Sequence, residues 1–268
     1  MAIITISRGS YTRGKEIAEK VAERLGYECI ARETLLEASQ QFNVPEIKLL
    51  HAIQDAPSFT DRFSYNKERY IAYIQTALLR HLRKDNVVYH GFAGHFLIKG
   101  VSHVLKARIV AALESRAAIV MERDKVSREE ALRFLKKIDD QRRKWSRSLY
   151  GIDTWHSSLY DFVLNIDRLT VNDAVDIICD TIKQPAFRTT PQSQKAMDNL
   201  LLACEVKAVL IGVKPDVEVS ASDGVVLMQT TGPVYQEKRL AAELIRMGQS
   251  VEGVKDIRVK VVAGFPVD

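Results

Sequence analysis

Apolar positions along this chain change period several times, and each change marks an element. "AIITIS" (2–7) is a short β-branched run, as expected of a buried parallel strand. From Lys15 to Leu25 the spacing is helical. Ile17, Val21, Ala22 and Leu25 share one face, and Gly26 is the stop. Helical spacing continues through "ETLLEASQQF" (33–42) and "PEIKLLHAI" (45–53), then over Asn66–Arg83 with Ile71, Ile74, Leu78 and Leu82 in register. "NVVYHG" (86–91) predicts a second core strand, "ARIVAAL" (107–113) a third and "YDFVLNI" (160–166) a fourth. A helix is predicted up to about Arg123, and another opens at Ser127, where Glu130 completes a capping box. "TVND" (170–173) is a weaker capping signal ahead of one more helix. Alternating strands and helices imply a parallel sheet covered on both faces.

"QPAFRTTPQS" (184–193) breaks the pattern and reads as a linker. The order then changes. A helix over Lys195–Leu210 is followed by "DVEVSA" (216–221) and "GVVLMQT" (224–230), two strands around Ser222, Asp223 and Gly224. A helix over 235–249 and a strand over 254–263 complete an αββαβ unit. The expected organisation is therefore a domain over 1–183, a linker over 184–193 and a small domain over 194–268.

Composition narrows the class. The chain has 268 residues, 46% hydrophobic and 27% charged, enough for a buried core in a globular protein. The most apolar stretch, "LLLACEVKAVLIGV", is broken by Glu205 and Lys207, so no transmembrane segment is expected. The start, "MAIITISRG", reads as a strand and not as a signal peptide. Cys29, Cys179 and Cys204 lack pairing or metal spacing, which suits a reduced, cytoplasmic protein. The net charge of +5 is concentrated: "KKIDDQRRKWSR" (136–147) holds six basic and two acidic residues, whereas 194–268 holds nine and ten. One concentrated patch suits a small polyanion at least as well as nucleic acid, for which no specific motif is present.

The candidate chemistry begins where the first strand ends. Gly9, four residues, Gly14 and Lys15 make most of a P-loop, with Glu16 where Ser or Thr is usual. Strand, tight turn and helix would point free N–H groups and the helix dipole at a phosphate, and Lys15 would add a full charge. Gly9, Ser10, Thr12, Arg13, Gly14, Lys15 and Glu16 are the candidate phosphate-binding residues. The bland alternative is a plain connection between a strand and a helix.

"ITISR" followed by "EIAEKVAERLGY" resembles the opening of the cytidylate-kinase-like P-loop family. There the turn reads Gly-Ser-Gly-Gly-Arg-Glu, which falls on Tyr11, Thr12, Arg13, Gly14, Lys15 and Glu16. Glu16 is thus typical, and Lys15 takes a basic position. Tyr11 and Arg13 stand where glycines are expected, and side chains there oppose the positive φ of a phosphate nest. The resemblance runs over 1–183. "ARETLL" keeps Arg32 and Glu33 but has Ala31 for aspartate, and "NVVYHGFAGHFLI" keeps Gly91 but has Phe92 for arginine. Arg32, Glu33 and Gly91 are thereby candidates for the acceptor side. Asp139 and Arg142 match the family's lid. The resemblance implies a P-loop nucleoside-monophosphate-kinase-like fold, nucleotides as partners and transfer of the γ-phosphoryl of ATP with Mg²⁺. Lys15, Arg142 and Arg143 are its expected catalytic cations.

Other residues have plainer readings. His90 and His95, five apart without a third ligand, are expected to be structural, and no metal site is expected. Trp145, Tyr150 and Trp155 surround the basic segment, where loop packing is expected and stacking on a base is the alternative. Arg62 and Lys67 could reach a substrate phosphate, but nothing singles them out. "SDGVVLMQTTGPV" and "VEGVKDIRV" resemble a BON domain over about 194–264, a type of module that binds protein or phospholipid partners. The departures at Tyr11, Arg13, Ala31 and Phe92 keep a second function open: a catalytically degenerate nucleotide- or phosphate-binding regulator.

Overall fold

A computed structural model describes residues 2–31, 33–49, 65–91 and 94–263. The chain divides into two compact units. The first contains the described residues of 1–34 and 84–190, and the second those of 35–52, 63–83 and 191–268.

The first unit is built on five parallel strands: β1 (Ile3–Arg8), β2 (Glu28–Ile30), β3 (Val87–His90), β4 (Val104–Val110) and β5 (Phe162–Asn165). They lie in the order β2-β3-β1-β4-β5, the arrangement of a P-loop kinase-like fold. β1 is central, with Ile3 opposite Val87 on one side and Val104 on the other. β2 is a correction to the sequence reading, which had four strands here. Its three residues pair only with β3 at the sheet edge, too short a stretch to print a period. β4 begins three residues before the expected start, and Ala111–Leu113 lead instead into the next helix.

Helix α1 (Gly14–Leu25) buries Ile17, Ala18, Val21 and Ala22 and ends on Gly26 at φ 67°. These side chains pack with Ile4, Ile6, Leu105, Ala107, Val175 and Ile178 in the main core. α2 (Glu33–Phe42) and α3 (Tyr65–Leu82) follow in sequence. α4 (Leu113–Asp124) leads to α5 (Arg128–Tyr150), 23 residues long, so the whole basic segment is helical. Its capping box is present: Ser127 accepts from the Glu130 N–H while Glu130 accepts from the Ser127 N–H. The weaker signal at Thr170 also forms a full box with Asp173 at the start of α6 (Val171–Thr181).

In the second unit α7 (Pro191–Leu210) starts at a proline, whose missing N–H is harmless in a first turn. The segment 184–193 is thus occupied partly by a 3₁₀ turn at Pro185–Phe187 and partly by α7. β6 (Glu218–Ser222) and β7 (Val225–Gly232) are antiparallel, and β8 (Asp256–Ala263) lies parallel to β7 after α8 (Glu237–Gly248). The expected αββαβ order is present. The β6–β7 turn has φ 56° at Asp223 and 87° at Gly224, the two left-handed positions of a tight hairpin. Val206, Leu210, Val217, Val226, Met228 and Leu244 form this unit's core.

Candidate functional site

Sheet order reverses beside β1, and in open parallel sheets that point creates a crevice at the carboxyl ends of the strands. The Gly9–Arg13 turn lies at this end. The Gly9 N–H donates to the Ile109 carbonyl (3.1 Å), tying the turn to β4. Thr12, 2% exposed, donates its hydroxyl to the Gly9 carbonyl (3.0 Å).

The backbone here takes the positive φ that side chains at these positions were expected to oppose. Tyr11 and Arg13 take φ 58° and 53°, the left-handed values that glycine would adopt freely. Each costs on the order of 1 kcal/mol. Local contacts hold them. The Tyr11 ring meets Phe134 (centroids 6.0 Å apart) and lies under the Arg123 guanidinium at 4.7 Å. Arg13 turns back to Glu16 through two hydrogen bonds (2.9 and 3.0 Å). Gly14 serves close approach instead: a Cβ there would lie 2.7 Å from the Cβ of Arg8.

Arg13 is the N-cap of α1 and provides no side-chain cap. The first amides of α1 therefore retain their capacity for an external acceptor. Lys15 is exposed and reaches Glu19 only at 3.5 Å, a weak surface pair. Glu16 is engaged by Arg13 and, at 3.5 Å, by Lys20.

A second set of cations surrounds the turn. Arg116, 9% exposed, donates to the Ser10 carbonyl (3.4 Å) and to both oxygens of Asp139 (3.1 and 2.9 Å). The Asp139 match to the family is thus a tether between α4, α5 and the turn. Arg142 lies one helical turn beyond Asp139. Its side chain is solvent-exposed, but crowding around the head group lowers its pKa, Arg8 lowers it further, and Asp139 opposes both. Burial also lowers the pKa of Arg8, against Glu19. Among the described residues, the Arg8 Nε, the Ser10 hydroxyl and the Arg116 Nε are buried and meet no hydrogen-bond partner. Among the described residues at the turn, Arg8, Arg13, Lys15, Arg116 and Arg142 outnumber the carboxylates Glu16, Glu19 and Asp139. Such a surplus around orphaned donors fits an anionic group.

Arg143 belongs to another cluster. It donates to Asp153 Oδ2 (2.9 and 2.6 Å), as does Arg147 (2.6 Å). Under the turn, Arg108 donates to Ser7 (3.2 Å) and to the Tyr160 hydroxyl (3.1 Å), which donates to the Thr154 carbonyl (3.0 Å).

Of the residues expected on an acceptor side, Glu33 accepts from the Ala31 N–H (2.6 Å), and Gly91 has φ 130°. Arg32, Arg62 and Phe92 lie outside the described residues, as does the Lys67 side chain. His90 and His95 are buried. Burial, with Lys106 and Arg108, pulls the His95 pKa down to about 3, so its ring stays neutral. Among the described residues no group of three His, Cys, Asp or Glu could hold a metal ion, and no helix is long and apolar enough to cross a membrane.

Sequence reasoning missed Arg8, Arg116, Arg108 and Tyr160. Arg8 had a local signal, a basic residue closing an apolar strand. The Arg116–Asp139 pair spans 23 positions and has none.

The cytidylate kinase-like family profile matches residues 3–168. The cytidylate kinase of Pyrobaculum neutrophilum is 44% identical over 77 residues, 27% of this chain and 42% of its own length. That of Pyrobaculum aerophilum is 25% identical over 181 residues, 67% of this chain and 92% of its own. The chain thus spans under half the length of the first relative and most of the second. The crystal structure of an uncharacterized protein from Eubacterium ventriosum superposes with TM-score 0.52 at 21% identity, covering 69% of this chain and 99% of its own, a likeness of fold.

Proposed function

Because the chain belongs to the cytidylate kinase-like family, with the profile matching residues 3–168, we propose that it transfers the γ-phosphoryl group of ATP to a nucleoside monophosphate. CMP is the first acceptor to test, since the relatives' names specify it. The observation that carries the reading is the surplus of cations around the left-handed turn, with buried Arg8, Ser10 and Arg116 donors unused. In phosphoryl transfer a protein acts chiefly by positioning and by neutralising charge. The α1 amides and Lys15 would hold the donor phosphates, and Arg142, beside Arg8, would face the group in transit. Magnesium bound with ATP would supply further charge neutralisation. Arg143, engaged by Asp153, is assigned a supporting role in the lid.

A second reading is a regulator that binds nucleotide without turnover. The side chains at Tyr11 and Arg13 favour it, as does Ala31 in place of aspartate. In either reading the αββαβ unit is a BON-like module for a protein or phospholipid partner, and a cytoplasmic setting suits Cys29, Cys179 and Cys204, which are free thiols. ATP consumption with and without a panel of nucleoside monophosphates decides between them. Acceptor-dependent consumption supports the kinase; nucleotide binding with no consumption for any acceptor supports the regulator.

A further inference from the structure

Trp155 is 56% exposed, although its neighbours are fixed in place. Asp153 organises the group. One oxygen accepts from Arg143 and Arg147, and the other accepts from the backbone N–H of Trp155 (3.1 Å). The Arg143 hydrogen bonds hold the Asp153 carboxyl well below the usual carboxylate range. So anchored, the Arg143 guanidinium lies 5.3 Å from the indole centroid. A cation over an aromatic face is attractive, and here one carboxylate positions both partners.

The place of this stack matters. The carbonyl just before Trp155 belongs to Thr154 and accepts from Tyr160, whose hydroxyl also accepts from Arg108, which binds Ser7 at the entry to the phosphate turn. Arg142, the residue before Arg143, feels the charges of Arg8 and Asp139 and the influence of Tyr11 and Arg116. The Trp155 stack therefore flanks the turn. A purely packing role would bury the ring, as Tyr160 beside it is buried to 8% exposure.

The geometry points to Trp155, backed by Arg143, as the stacking platform for the base of a nucleotide whose phosphates lie at the Gly9–Lys15 turn. This rests on the nucleotide-binding reading above. Every base presents a π-face, so the platform takes a nucleotide by its planar ring, whether the donor or the acceptor supplies it.

The chain has two tryptophans, so Trp145→Phe leaves Trp155 as the sole indole reporter. That variant is titrated with Mg·ATP, with CMP and with inorganic tripolyphosphate, following both fluorescence and heat. The nucleotide whose base stacks should quench Trp155, and baseless tripolyphosphate should not. Trp155→Ala should weaken that nucleotide roughly tenfold, Trp155→Phe by less, and neither should change tripolyphosphate affinity. Heat of nucleotide binding without quenching would overturn the platform and leave the nucleotide reading intact. Equal weakening of nucleotide and tripolyphosphate by Trp155→Ala would also overturn it, since the ring would then be acting through the fold. Absence of heat with every ligand would overturn the nucleotide reading itself, and the platform with it.

Discussion

The Gly9–Arg13 turn of the first unit and the hairpin of the second solve the same backbone problem with different residues. Both need two left-handed residues. The hairpin uses Asp223 and Gly224, which tolerate that conformation. The turn uses Tyr11 and Arg13, which do not. Charge follows the same division. In the second unit Arg80 pairs with Glu205, Arg83 with Asp198 and Lys195 with Asp223, all lining one cavity of about 690 Å³. Among the described residues around the turn, cations exceed carboxylates and buried donors have no partner. A cavity with paired walls is explained by its own structure. A strained turn with surplus charge is what the proposed bound phosphate would complete.

The largest effect is expected at Arg116, whose pair with Asp139 is nearly buried, the side chains 11% and 14% exposed. Arg116→Ala leaves a carboxylate without its partner and should lower unfolding free energy by about 3 kcal/mol in urea titration. A loss comparable to that of a surface variant would deny the turn its buried tether.

Next comes pH. The His95 pKa, about 3 when folded, lies below the roughly 6.5 of an unfolded histidine. The unfolded chain then binds a proton that the folded one refuses, so stability falls as pH drops below about 6.5 towards 3. Between pH 7.5 and 5 the loss from this group should be about 2 kcal/mol. His95→Gln should remove that component; an unchanged pH slope would assign it to other groups.

In the second unit, Gly224→Ala places a Cβ at φ 87° and 2.9 Å from the Gly253 carbonyl, which should cost about 1–2 kcal/mol. Arg83→Ala should cost less than about 1 kcal/mol, because Arg83 and Asp198 are 57% and 42% exposed. If Arg83→Ala matched Arg116→Ala, the contrast between the two regions would fail.

Much of this was legible in the chain because the signals were local. The boxes at Ser127 and Thr170, the Gly26 stop and the Asp223–Gly224 turn depend on residues within a few positions. The Gly9–Arg13 turn was legible as a connection between a strand and a helix, since strand, Gly14 and helix adjoin. Its conformation was not: propensity argues against positive φ at Tyr11 and Arg13, and only contacts with Phe134, Arg123 and Glu16 reverse that. β2 escaped because three edge residues carry no period. Arg8 and Arg116 escaped because long-range packing, not spacing, brings them to the turn.

The central claim is that the stretch from Gly9 to Glu16 grips nucleotide phosphate. Calorimetric titration of Mg·ATP into the wild type and Lys15→Ala tests it most directly. Lys15 is exposed and bound only weakly to Glu19, so its removal should leave the fold intact. Affinity should fall at least roughly tenfold, about 1.4 kcal/mol, as for a charge-assisted contact to phosphate. Binding of Mg·ATP by Lys15→Ala as tight as by the wild type would contradict it and reduce the stretch to a turn between a strand and a helix.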